Sequence, residues 1–200
     1  MSWVEHQLGG VRPLAGGTHP RMATHNRLLR LSATTFLEVI AVDPAAEPPT
    51  RPRWFGLDSD TMRSRLAERP RLIGWVAAVD DLQQAIAACP IATGPAEPIS
   101  RGTLHWLITI PGDGSLVEGG TMPTLIQWPA DRPHPATRIA DLGCSLLSLD
   151  LEHPEPDRLG AALDAIGFDR NGAVCILPNP SGPRLSASIR TPGGVAVLES

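Results

Sequence analysis

One order of elements recurs along this chain of 200 residues, and it restricts the fold more than any single motif does. An apolar run at 72–79 leads through Asp80-Asp81 into Leu82, Ala85, Ile86 and Cys89, spaced i, i+3, i+4 and i+7. That spacing is one stripe of a helix behind an aspartate cap. Strand-like pieces follow at 93–99, 103–110 and 122–128. About seventy residues later the order returns. A strand at 144–151 precedes Pro156-Asp157, which open a helix with Leu159, Ala162, Leu163 and Ile166 on one face and Gly167 as its left-handed cap. Strand-like pieces near 173–178, 184–190 and 194–198 complete it. The front of the chain repeats the order without its opening strand: Ser2 caps a short helix over 3–8, then strands follow near 11–15, 26–32 and 35–42.

The chain thus reads as βαβββ nearly three times, punctuated by proline-rich breaks at 43–53 and 129–135. The expected units are 1–53, 54–135 and 136–200. Abundant turn residues, 21 Pro and 19 Gly, suit many short elements. No apolar run approaches the roughly 18 residues of a membrane span, and a net charge of −4 without an arginine cluster argues against a nucleic-acid groove. Every basic residue is arginine, the mark of a GC-rich, bacterial coding sequence rather than of any chemistry. Cys89, Cys144 and Cys175 match neither a disulfide framework nor a metal pair and read as buried free thiols. No cationic stretch followed by an apolar one opens the chain, so a cytoplasmic protein is expected.

Local motifs carry a resemblance. Gly16-Gly17-Thr18-His19-Pro20, then Thr24-His25-Asn26, then Phe36-Leu37-Glu38-Val39-Ile40, resembles the glyoxalase-like domain group of the vicinal oxygen chelate superfamily, whose building unit is βαβββ. Pro123 to Trp128, followed by His134-Pro135, is similar to a later strand and turn of that group. The resemblance implies an α+β fold, with βαβββ modules whose curved mixed β-sheets enclose a half-open pocket. The first two modules pair and the third packs on as an extension. The group's opening strand normally holds an Asp-His pair and often the first metal ligand; this sequence begins after that point. An in-frame strand upstream of Met1 is one explanation. The other is an open sheet edge completed by a partner chain, which predicts a homodimer. Ala23 stands where the group tends to have Gly, a small difference.

Glu38 is the sharpest candidate, the only charge between Thr34 and Val42, with apolar neighbours on both strand faces. A carboxylate there needs a metal, an arginine or a hydrogen-bonding ligand. It reads as catalytic base or metal ligand, or as the partner of Arg27, Arg30 or Arg101. His19 is the second catalytic candidate, though a turn histidine before proline also suits a structural role. Asn26, Arg101, His105, Trp106, Gln127 and Trp128 are the expected substrate-binding residues, with Trp106 equally at home in a core. A divalent metal is left open: Glu38 is the best candidate ligand, but Gly74-Trp75 and Gln127 occupy the second module's ligand positions, and the set is incomplete. The resemblance implies a lyase or isomerase acting on a small oxygenated organic molecule. The alternatives are metal-free binding or sequestration of a small-molecule ligand, and an inactive truncated paralogue.

Overall fold

The computed structural model describes residues 2–169 and 172–200; Met1, Arg170 and Asn171 lie outside the described residues. The architecture is α+β. Its elements are α1 (Trp3–Gln7), β1 (Leu14–His19), β2 (Thr24–Arg30), β3 (Phe36–Val42), α2 (Asp60–Glu68), β4 (Val76–Ala78), α3 (Leu82–Ala88), β5 (Ala96–Arg101), β6 (Leu104–Thr109), β7 (Thr124–Gln127), β8 (Ser145–His153), α4 (Pro156–Ala165), β9 (Val174–Pro178), β10 (Arg184–Thr191) and β11 (Gly194–Glu199).

Three sheets form: β1-β2-β3, β4-β7-β6-β5, and β11-β10-β8-β9. In the second, β4 runs parallel to β7 at one edge. In the third, β8 is internal, parallel to β9 on one side and antiparallel to β10 on the other. Two segments with one order of elements therefore have different strand orders. Hydrophobic periodicity records which face of an element is apolar, not which neighbour receives the next strand.

The helices follow their caps. Ser2 and Glu5 form a reciprocal capping box on α1, and the Asp81 side chain accepts from the Gln84 amide at the start of α3. The helix α2 was not expected. It is capped by Ser59 but buries only Met62, so it carries no apolar stripe to betray it. Regular pairing in the 72–79 run is confined to β4. Before it, the Leu72 amide donates to the Glu199 carbonyl at 2.9 Å and the Trp75 indole donates to the Thr121 carbonyl at 2.8 Å.

Alternation along each strand sorts the cores. Leu125 and the buried face of α3 meet Leu151, Leu163 and Leu185 between the second and third sheets. Leu8, Leu29 and Leu31 meet Ile189, Ala196 and Leu198 between the first and third. The inner faces of the first two sheets close on Met22, Trp54, Ile99, Trp106, Ile108 and Ile126, with Ile40 packed against them. The strand β3, apolar on both faces, is only half-buried, and among the described residues it is an edge strand paired with β2 alone. Cys144 is buried, but Cys175 is exposed on edge strand β9, and Cys89 is half-buried.

Glu97 on β5 ties the first two sheets together. Its carboxylate pairs with both Arg21 and Arg51. Arg21 also donates to the Pro98 carbonyl at 2.9 Å, and Arg51 to the Pro111 carbonyl at 3.0 Å. Removing the charge leaves two guanidinium groups, that of Arg51 largely buried, without their counter-ion. Glu97→Gln should lower unfolding stability by roughly 1–3 kcal/mol, read as a lower urea midpoint at unchanged slope.

Candidate functional site

The site begins with a fault in a strand pair. Ala15 is opposite Arg27 and Thr18 is opposite His25, so Gly16 and Gly17 together face Asn26. This is a β-bulge, which leaves one backbone amide without a ladder partner and reverses the faces beyond it. His19 is thereby turned to the inner side with Thr24, where it is buried. The orphaned Gly17 amide donates to Asn26 Oδ1 at 2.8 Å. With its oxygen so engaged, the amide must present Nδ2, which donates to Glu38 Oε1 at 2.6 Å. Glycine is required at Gly16: a Cβ there would stand 1.9 Å from Asn26 Oδ1 and 2.9 Å from its backbone oxygen.

The turn before β2 explains the group's preference at position 23. Ala23 adopts a left-handed conformation with φ 46°, so glycine would sit there without strain.

Charge is unusual on this face. Burial raises the Glu38 carboxyl above its ordinary range, opposed by the Asn26 hydrogen bond and the positive charge of Arg101. Burial, aided by Arg101, pushes His19 down to about 4, so its imidazole is neutral at pH 7. His19 Nδ1 lies 3.2 Å from Thr24 Oγ1. Arg101 leans over the bulge; a Cβ on Gly17 would meet its Cδ at 2.9 Å. Among the described residues the Arg101 guanidinium has no carboxylate within 4.0 Å.

A groove of about 450 Å³ opens beside this cluster, between β1–β2, the β5–β6 turn and the 133–140 segment. Leu14, Gly16, Leu28, Leu104 and Ile139 line it, with Arg101 and Arg138. Glu38 is not a lining residue; it is the cross-strand partner of Leu28, which is. Rings run across the inner faces: His19 meets Trp54 at 5.0 Å and Trp106 at 6.3 Å, Trp106 meets Trp128 at 5.5 Å, and His134 joins Trp128 to Phe36 at 5.8 and 6.1 Å.

Of the residues singled out from sequence, Glu38, Asn26, His19, Arg101, Trp106 and Trp128 share this inner region. His105 does not: Trp106 on the same strand is buried inward, so His105 points outward and is exposed. Gln127 also faces away. It is paired with Leu107 on the outer face, and its Oε1 accepts from the Leu82 amide at 2.9 Å, serving the start of α3. Arg138 was missed, since an arginine among alanine, threonine and isoleucine in a loop carries no periodic signal. His134 Nδ1 accepts from the Ala136 amide at 3.2 Å and so shapes its own loop.

The divalent metal implied by the resemblance does not fit these groups. Glu38 is a lone carboxylate, one of its oxygens accepts from Asn26, and a guanidinium charge faces it. Among the described residues no three His, Cys, Asp or Glu side chains gather at a metal site. Neither feature suits a cation that needs imidazoles or several carboxylates.

The sequence profile of a glyoxalase-like domain matches residues 1–167. No curated protein matches the chain. Among solved structures, a hypothetical protein from Staphylococcus aureus is similar with a TM-score of 0.55, covering 98% of this chain and 92% of its own at 11% identity. At that identity the likeness is one of fold alone. No helix among the described residues is long and apolar enough to cross a membrane.

Two consequences are measurable. Gly16→Ala should cost roughly 1–3 kcal/mol in chemical denaturation, because the new methyl must displace the Asn26 amide or the strand beneath it. His19 binds its proton less readily folded than unfolded, so stability should fall as pH drops from about 6.5 to about 4. That contribution is up to about 3 kcal/mol. Urea midpoints against pH should show a shallower acid slope for His19→Gln than for the parent.

Proposed function

This chain belongs to the glyoxalase-like domain family of the vicinal oxygen chelate superfamily, and from that premise we propose that it acts on a small oxygenated organic molecule by lyase- or isomerase-type proton transfer. The observation carrying this reading is the Glu38 carboxyl, fixed at Oε1 by Asn26 with its affinity for a proton raised by burial, beside a groove of small-molecule size. A carboxyl raised in this way is suited both to take a proton and to return it. Oε2 is the oxygen left for that work. It removes a proton from a carbon next to a carbonyl; the electron pair of the broken C–H bond moves onto the carbonyl oxygen, whose growing negative charge Arg101 offsets. The same carboxyl then returns the proton at another position, or a leaving group departs. Asn26 is a positioning residue, and His19, neutral and tied to Thr24, supports the wall. No step passes through a metal, because the donor set does not suit one.

A second reading, binding without turnover, has its own support: Glu38 stands one strand behind the lining of the groove rather than in it.

Proton transfer is tested by following solvent-deuterium incorporation into hydroxyacetone and 2-oxobutanoate by NMR. The parent protein should accelerate exchange, and Glu38→Gln, which preserves the hydrogen bond from Asn26, should lose about 100-fold or more of the acceleration. Equal exchange by both proteins would remove Glu38 from the chemistry. Ligand line-broadening with no exchange above the protein-free rate would favour the binding reading.

A further inference from the structure

We propose that the groove selects an anion, a carboxylate on a small apolar body, clamped between Arg101 and Arg138. The inference rests on the reading of the groove as a small-molecule site and adds the class of ligand. Its wall is apolar at Leu14, Leu28, Leu104 and Ile139, and among the described residues the charged groups in the lining are the two arginines. No aspartate or glutamate among the described residues lines it.

Neither guanidinium is held in an ion pair, although Arg101 acts at longer range on Glu38 and His19. Among the described residues six other arginines have a carboxylate partner, among them Arg21 and Arg51, which share Glu97, Arg53, which pairs with Asp58, and Arg158, which pairs with Glu118. Arg101 and Arg138 have no such ion pair and no side-chain hydrogen bond among the described residues. Two like charges brought to one concavity repel each other, and an entering anion removes that repulsion. The planar fork of each guanidinium also matches a carboxylate in geometry.

Their placement is built into the fold. Arg101 approaches the first sheet closely because Gly17 has no side chain to hold it off. Arg138 is carried on a short 3-10 turn, Pro135–Arg138, opened by His134 and Pro135. The segment that leads to it is fastened to the opposite rim, where Arg132 donates to the Thr103 carbonyl at 2.9 Å. The apolar body then lies against Leu28 and Leu104 while the carboxylate sits at the two arginines.

Matched pairs test this on the whole protein by calorimetric titration: hexanoate against hexanamide, and phenylacetate against phenylacetamide. Each carboxylate should bind about tenfold or more tightly than its neutral amide. Arg101→Gln and Arg138→Gln should each erase most of that preference, weakening carboxylate binding far more than amide binding and without lowering the melting temperature. Arg190→Gln, on the outer face of the third sheet, should leave the preference intact. Amides binding as tightly as carboxylates, at a site weakened by Leu28→Ala, would overturn the charge selection and spare the groove as a small-molecule site. A preference that survives the double arginine variant would likewise overturn it. Binding of neither class to the parent protein would remove the small-molecule reading itself.

Discussion

The inner face of this protein depends on one unpaired backbone amide. The bulge at Gly16-Gly17 takes the Gly17 N–H out of the ladder, and a buried donor cannot be left without an acceptor. The Asn26 side chain supplies the acceptor and in doing so loses the freedom to flip. Its amide nitrogen is thereby aimed at Glu38, and a carboxyl on a half-buried edge strand gains a fixed orientation. The same bulge reverses the alternation beyond it, so that His19 rather than Thr18 turns inward. The absence of a side chain at Gly17 leaves room for Arg101. One local irregularity thus sets the position of four of the polar side chains on this face.

The charges there are arranged by solvation as much as by pairing. Glu38 and His19 are both pushed toward their neutral forms by burial, one upward and the other downward. Arg101 adds a guanidinium charge beside both of them. That combination of one carboxyl and a guanidinium does not suit a divalent cation. The fold is that of the glyoxalase-like domain family, and Glu38 stands at the position that the resemblance marked. The groove lies where two sheets and a proline-rich segment meet, so its walls come from parts of the chain far apart in sequence.

Much of the architecture was legible in the residue order. The stripes at Leu82–Cys89 and Leu159–Ile166 marked α3 and α4 because each buries a continuous face. The strands appeared within a few residues of their expected places, β1 and β2 being displaced because their glycine-rich border offers little alternation. The helix α2 escaped notice for the opposite reason, burying a single side chain. For the site, Glu38 announced itself as an isolated charge in an apolar strand. Asn26 stood out as a substrate-binding candidate, and in the structure its amide links the Gly17 amide to Glu38. His105 and Gln127 were misplaced because alternation states that neighbours oppose one another but not which set faces the interior.

The sequence alone determined the α+β class, the recurring order of elements, the caps and turns, and the presence of a carboxyl that needed explaining. All of these rest on contacts between residues close in the chain, or on a solvation penalty that one residue incurs. Tertiary structure alone decided the strand order of the third sheet, the inward phase of β6, and the company of Arg101 and Arg138 at one groove. Those depend on which edges meet across long separations, and a pairing shift of one residue inverts every face. The Gly-Gly pair stands between the two: visible as a motif, it acquires its meaning only when Asn26 arrives opposite to accept its amide.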